Sequence, residues 1–574
     1  MLQNIFSLFN SRNIDAISMN ILSTQVLMLQ FLKVGCKLAE QPQKLEMSIN
    51  DLLNRLLLLQ KNFMNELDIG NNHGVITLKY NKKERIYEDN VFANNPAIKF
   101  VNMFYKTVSS WMMETIENID GVDSQLQRNA QFIIKQYIDM LSPNNFPFFN
   151  PDFLKESIHT SGENIKKGIK FLMNDIFNGS ITTHDRRKFQ IGKNIATTRG
   201  KVIFQNELIE LIQYSPTTDK VYTKPILLVP PWINKFYVLD LTTKMSFVKW
   251  LVDNGFTVFL ISWVNPNEKY RNIGFEDYVL NGLLTSLDKI HEITGETQIH
   301  AFGYCVGGTL ISVFMAYMAH KSCKHQSKMC ITSATLMATL VDFRNAGDLS
   351  VFMTKIFLET IQDQIEDRGI LDGQIMHNTF SALKAKDMVW RYFVNSYMLG
   401  KEPSANAILF WNSDSTNLTM SMQKFLSRDL YSDTMLVTGN IRICGVPINL
   451  ERIQMPLYIV SFIGDHLVPW VSTFGSAKLF GGDVRFVLGG SGHVAGAINH
   501  SSNRKYCYWT NEKANNRAGN SEEWIKTATQ TPGSWWNDWI CWVVPKMGEK
   551  TKSRNISTWM RDAPGIYIHN ELLI

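Results

Sequence analysis

The sequence predicts an α/β protein in which a helical N-terminal domain precedes a mostly parallel sheet carrying a long insertion. Two observations predict it. Up to about residue 190 apolar residues recur at three- and four-residue spacing, as on helices packed through one face. After residue 200 short β-branched runs alternate with turn residues and helix-length amphipathic stretches, the texture of a parallel sheet covered by helices. A chain of 574 residues exceeds what one hydrophobic core organises, so at least two domains are expected. With 45% hydrophobic and 19% charged residues it can bury large cores and is not a disordered chain.

The helical part reads in order as ILSTQVLMLQFLKVGCKLAE (21–40), INDLLNRLLLLQKNFMNELD (49–68), a proline and asparagine break at 142–151, and a further helix over 151–176. Its leucine stripes suit ordinary helix packing or a dimer or surface-docking face. Six strands are expected beyond it: 225–232, 256–263, 299–305, 333–340, 456–465 and 484–490. The interval between the fourth and fifth is too long for a loop inside a compact sheet, and 341–455 is expected to be an inserted cap. The domains expected are thus 1–190, helical, and 191–574, catalytic with the cap inserted, the tail from about 545 being a partly ordered extension.

Composition excludes several function classes. Lys+Arg minus Asp+Glu is 58 − 52 = +6, too small an excess over this length for nucleic-acid binding. The apolar runs at 225–229 and 311–319 fall well short of the roughly 18–20 residues that cross a bilayer. The first residues lack a secretory signal, and seven scattered cysteines without a CxxC pair fit a reducing, cytosolic setting.

The chemistry is concentrated at Gly303-Tyr304-Cys305-Val306-Gly307-Gly308, where a strand runs into a helix. This is the form of a nucleophile elbow with Cys305 at the nucleophile position. The tight turn forces the nucleophile into a strained conformation, and Gly303, Gly307 and Gly308 leave room for the neighbouring backbone. A helix N-terminus just beyond favours a thiolate. In this fold an acid and then a histidine follow on loops after later strands. Asp465 closes the fifth expected strand, and His493 follows the sixth. His493 is expected to take the thiol proton while Asp465 fixes the imidazole tautomer. An oxyanion hole would use the Val306 N–H and a second N–H from the loop Pro230-Pro231-Trp232-Ile233-Asn234; prolines donate nothing, so Trp232 or Ile233 supplies it. His320, Cys323, His325 and Cys330 lie close together, but their spacing matches no common zinc finger, and no metal is expected.

These residues resemble the polyhydroxyalkanoate synthases. The resemblance runs through SPNNF (142–146), 193–218, LLVPPWINKFYVLDL (227–241), GYCVGGT (303–309), FWNSDSTNL (410–418), GDHLVPW (464–470), RFVLGGSGHVAG (485–496) and GSWWNDW (533–539), most of the chain. A single chain with a full N-terminal domain is similar to the class I form.

The resemblance implies an α/β-hydrolase fold and the triad Cys305, Asp465 and His493. It also implies polymerisation of (R)-3-hydroxyacyl-CoA, 3-hydroxybutyryl-CoA above all, with CoA as leaving group and no cofactor. It suggests Trp411 on an active-site tunnel, a core Trp being the alternative, and Lys384 where the family commonly has an Arg proposed to meet a CoA phosphate; Lys keeps the charge without the bidentate fork. His466, beside Asp465, is expected to support the site or to be an exposed loop histidine. Trp535, Trp536, Trp539 and Trp542 read as an aromatic core cluster, or else as a polymer-contacting surface. The partners implied are the growing polyester, a second copy of the chain and phasin-like granule proteins, with the enzyme at cytoplasmic granules. The rival expectations are a thioesterase or polyester depolymerase on the same fold, and a silent granule-coating scaffold.

Overall fold

The computed structural model describes residues 14–70, 95–321, 323, 325, 327–353, 359, 365–366, 368–512 and 520–569. The chain forms two compact units, one of residues 1–184, 359–364 and 378–404, the other of 185–358, 365–377 and 405–574.

The first unit is helical. Helices α1 (Ile14–Ala39), α2 (Pro42–Gly70), α3 (Pro96–Glu117) and α4 (Ser124–Met140) come first, and α1, α3 and α4 share a small core that includes Val34, Ile116, Ile119, Ala130 and Ile134. Two starts have clear local causes: the Asn95 and Asp123 side chains accept the first free N–H groups of α3 and α4, and Pro96 occupies a position where no N–H is needed. Helices α5 (Pro151–His159) and α6 (Glu163–Asn178) follow. The stretch 378–404 belongs here because α6 grips it: Asn164 Nδ2 donates to Met398 O at 2.9 Å, and Tyr397 Oη donates to Asp175 Oδ2 at 2.6 Å. Gly168 sits so close to the Tyr397 carbonyl that a Cβ would overlap it.

The second unit is built on one sheet. Its strands in chain order are β1 (Gly200–Gln205), β2 (Ile209–Tyr214), β3 (Ile226–Val229), β4 (Val258–Trp263), β5 (Gln298–Tyr304), β6 (Cys330–Met337), β7 (Leu457–Phe462), β8 (Val484–Gly489), β9 (Cys507–Thr510), β10 (Thr529–Pro532) and β11 (Arg561–Asp562). Across the sheet they lie in the order β10-β9-β8-β7-β6-β5-β3-β4-β2-β1-β11. The six strands expected from the sequence are the parallel centre, β4-β3-β5-β6-β7-β8. The antiparallel flanks β1, β2, β9, β10 and β11 were not among the expected strands. The tail docks on the sheet through Glu210, which is buried and accepts from Arg561 Nη1 at 2.8 Å and from the Ile566 and Tyr567 N–H groups.

The parallel strands read as near-continuous apolar runs because helices and loops cover both faces. Trp535, Trp536 and Trp539 are buried in the main core with Phe247, Trp250 and Phe302, and each indole N–H finds an acceptor: Gly496 O, Ala497 O and Thr335 Oγ1. His300, on β5, is a core histidine held between Ser333 Oγ and Thr335 Oγ1. Its pKa is lowered to about 3 by burial, then by the charges of Lys546 and Lys224, so it stays neutral. Among the described residues no helix is long and apolar enough to cross a membrane.

A Trp539→Ala variant is expected to lose about 3–5 kcal/mol of stability, read as a lower urea midpoint with unchanged slope, because it empties a core site and leaves the Thr335 hydroxyl with His300 alone.

Candidate active site

The strand β5 ends at Tyr304 and helix α7 (Val306–Met318) begins two residues on, so Cys305 makes the whole turn. Its backbone takes φ 53°, ψ −128°, a region that an L-residue occupies at a cost of order 1–3 kcal/mol. Neighbouring contacts hold it there. The Cys305 N–H donates to Met337 O at 2.8 Å, and its carbonyl accepts from Gly308 N at 2.9 Å and Thr339 Oγ1 at 3.1 Å. The three elbow glycines have the steric cause expected of them: a Cβ on Gly303 would overlap Gly308 Cα, one on Gly307 the Val229 carbonyl, and one on Gly308 the Thr339 hydroxyl.

Two strands further across the sheet, β7 ends at Phe462 and the chain turns through Gly464 to Asp465. The Asp465 carboxylate is buried and fully used: Oδ1 accepts the Leu467 and Val468 N–H groups at 2.9 Å, and Oδ2 meets His493 Nδ1 at 2.6 Å. His493 comes from the loop after β8, beside Ser491, whose φ is 73°. Tyr304 braces it, stacking on the imidazole with ring centroids 5.2 Å apart and donating its hydroxyl to His493 O at 3.2 Å. The other hydrogen-bond partner of the imidazole is Cys305. The structure thus brings Cys305, His493 and Asp465 together at the carboxyl ends of three parallel strands, β5, β8 and β7, with β6 between β5 and β7. Burial pulls the His493 pKa down; the charges and hydrogen bonds of Asp465 and Cys305 outweigh it and raise it well above the usual imidazole range.

The loop after β3 carries Trp232 and Ile233. Trp232 is buried against Phe275 and Tyr278, and Ile233 is half-buried. Val306 is the first residue of α7, where an N–H has no acceptor within its own helix. Trp411 lies in the main core and donates its indole N–H to Lys235 O at 2.7 Å. His466 is half-buried in the turn after Asp465, its carbonyl accepting from the Asp348 N–H at 2.8 Å. Lys384 lies on 378–404, in the helical unit. Of the four clustered His and Cys residues, His325 Nδ1 is hydrogen-bonded to Tyr317 Oη, and Cys330 is exposed at the start of β6.

The charge of Cys305 reaches one further titratable group that no motif marks. The Tyr431 phenol is raised above its ordinary range by burial and then by the charge of Cys305, so it stays protonated. No spacing signal marks it, because it lies far along the chain from Cys305.

Residues 83–251 match a family model described as the poly-beta-hydroxybutyrate polymerase (PhaC) N-terminus, and residues 224–497 match the α/β hydrolase fold. The chain is 38% identical over 495 residues to the poly(3-hydroxyalkanoate) polymerase subunit PhaC of Rhizobium etli, covering 85% of this chain and 77% of that protein. It is 38% identical to the poly(3-hydroxyalkanoate) polymerase of Methylorubrum extorquens, covering 83% and 78%. The PhaC subunit of Cupriavidus necator is 35% identical, covering 81% and 79%.

Two predictions follow from this geometry. In Asp465→Asn the imidazole should titrate at lower pH by NMR. A raised folded-state pKa contributes stability that is present below the unfolded value of about 6.5 and lost as pH rises through the folded value, so the variant's stability should also be flatter across that window. Gly307→Ala should cost at least about 1–3 kcal/mol in urea unfolding, since the carbonyl it strikes belongs to a central strand.

Proposed function

The chain belongs to the poly(3-hydroxyalkanoate) polymerase family and is an acyltransferase-type enzyme, and on that premise we propose that it polymerises (R)-3-hydroxyacyl-CoA, 3-hydroxybutyryl-CoA above all, with release of CoA through Cys305, His493 and Asp465. The observation that carries this is the 2.6 Å contact of His493 with Asp465 on an imidazole whose other partner is the thiol of the strained turn.

His493 takes the Cys305 proton, and its raised proton affinity keeps it an imidazolium while Sγ attacks the thioester carbonyl. The bond from Sγ to the carbonyl carbon forms as the carbonyl π pair moves onto oxygen. The Val306 N–H and a second N–H from Trp232 or Ile233 stabilise that oxyanion. Its collapse expels the CoA thiolate, which recovers the proton from His493, and an acyl-Cys305 thioester remains. The 3-hydroxyl of another acyl unit then attacks the carbonyl of the acyl-Cys305 thioester, its proton passing to the Asp465–His493 pair or to Asp465 itself; the C–S bond breaks, Cys305 leaves as the thiolate and takes that proton back, and the new ester bond lengthens the chain. Sulfur suits this role because exchange between thioesters is nearly isoenergetic, so neither acyl-enzyme nor substrate is a deep well. Water ends a chain whenever it reaches the acyl-enzyme, and the segment 341–455 is assigned the task of excluding it. The working form is a dimer at the polyester granule in the cytoplasm, open to phasin-like partners. Coenzyme A is the leaving group, and the reaction calls for no further cofactor.

Given 3-hydroxybutyryl-CoA, the purified enzyme should release CoA and scatter light as polymer accumulates. Free 3-hydroxybutyrate in place of polymer identifies a hydrolase instead. Cys305→Ala should lower CoA release by about 10³-fold or more; near-normal release from that variant removes the thiol from the reaction.

A further inference from the structure

The loop that follows β3 begins against the elbow, since a Cβ on Gly307 would overlap the Val229 carbonyl and lie 2.9 Å from Pro230 O. Its two prolines have no N–H, so the first donors it offers are those of Trp232 and Ile233. A second segment, far along the chain, holds this loop at four points. Thr416 Oγ1 donates to Trp232 O at 3.0 Å, and Trp411 Nε1 donates to Lys235 O at 2.7 Å. Asn234 pairs with Ser415 in an isolated antiparallel bridge. Tyr237 Oη donates to Asp414 Oδ2 at 2.7 Å. Trp232, Lys235, Trp411 and Thr416 are all buried, so water does not replace these bonds.

We propose that residues 411–416 are a positioning element for the oxyanion-binding loop, with the Thr416 hydroxyl aiming the N–H of Ile233. In a trans peptide the C=O and the N–H point in opposite directions. A hydrogen bond that holds the Trp232 carbonyl toward Thr416 therefore turns the Ile233 N–H, which belongs to the same peptide plane, to the other side. Trp411 anchors the far end of the loop through Lys235, and the bridge at Asn234 fixes its middle. Ile233, rather than Trp232, is thus the second donor to the oxyanion. The inference rests on the acyl-transfer reading above and deepens it by naming which donor acts and what orients it.

Three variants of the full chain test it in steady-state CoA release: Thr416→Val, which keeps the volume and loses the hydroxyl; Thr416→Ser, which keeps the hydroxyl; and Trp411→Phe, which keeps a ring and loses the N–H. A misaimed donor should cost part of the 10²–10³-fold that deleting an oxyanion donor typically costs. Thr416→Val is therefore expected to lower kcat about tenfold or more with KM within about twofold and Tm within a few degrees. Thr416→Ser should restore most of the rate, and Trp411→Phe should move kcat in the same direction. If Thr416→Val does not fold, Trp411→Phe carries the same test. Wild-type kcat in a folded Thr416→Val, a Thr416→Ser as slow as Thr416→Val, or, where Thr416→Val does not fold, wild-type kcat in Trp411→Phe would overturn the proposal. Cys305→Ala run alongside separates the two failures: if it still releases CoA, the acyl-transfer reading is wrong; if it is inactive while Thr416→Val is normal, only the positioning role is wrong.

Discussion

The site depends on one backbone conformation, the positive φ at Cys305, and on the contacts that keep it from relaxing. A left-handed non-glycine residue persists only where its surroundings over-determine it. Here the Cys305 N–H is held by Met337 O on the neighbouring strand, its carbonyl by Gly308 and Thr339, and the helix behind it abuts Val229 on the other side. The parallel centre of the sheet therefore does more than form a core: its register sets the place from which the sulfur is presented. The glycines at 303, 307 and 308 are the sequence correlate of that crowding, each lying where a Cβ would enter a neighbour's van der Waals space.

The same sheet explains why residues so distant along the chain converge. Loops after β5, β7 and β8 leave from the same edge because the strands are parallel, and acidic, basic and sulfur groups placed just past three strand ends become neighbours. The Asp465 carboxylate is committed on both oxygens, to two backbone N–H groups and to His493. That leaves it a fixed acceptor, which suits holding one imidazole tautomer. The interval between β6 and β7 has divided roles. Residues 378–404 pack with the N-terminal helices, whereas 411–416 are hydrogen-bonded to the loop after β3.

Much of this was legible in the residues. Parallel strands buried on both faces leave continuous apolar runs, so six of them stood out, whereas the antiparallel flanks at 200–214, 507–510, 529–532 and 561–562 are short or half-polar and did not. The elbow was legible because its sterics demand glycine at particular offsets. Cys305, Asp465 and His493 could be picked out because each sits just past a recognisable strand end. Tyr431 could not, since its coupling to the charge of Cys305 leaves no periodicity or spacing behind. Trp411 reads from the sequence as a tunnel or a core residue; it packs in the core and its indole N–H meets Lys235 O, a contact that no local pattern encodes.

By itself, then, the sequence determined the helical and α/β halves, the parallel strands, the turn that strains Cys305 and the kinship with polyester polymerases, because these follow from local sterics, apolar periodicity and motif spacing. Tertiary structure alone decided which partners each buried polar group meets: the proton affinity of His493 between Asp465 and Cys305, the direction of the Trp232 carbonyl, and the sharing of the β6–β7 interval between the two units. Those depend on hydrogen bonds and desolvation between segments far apart along the chain, and such energies exist only once the segments are packed.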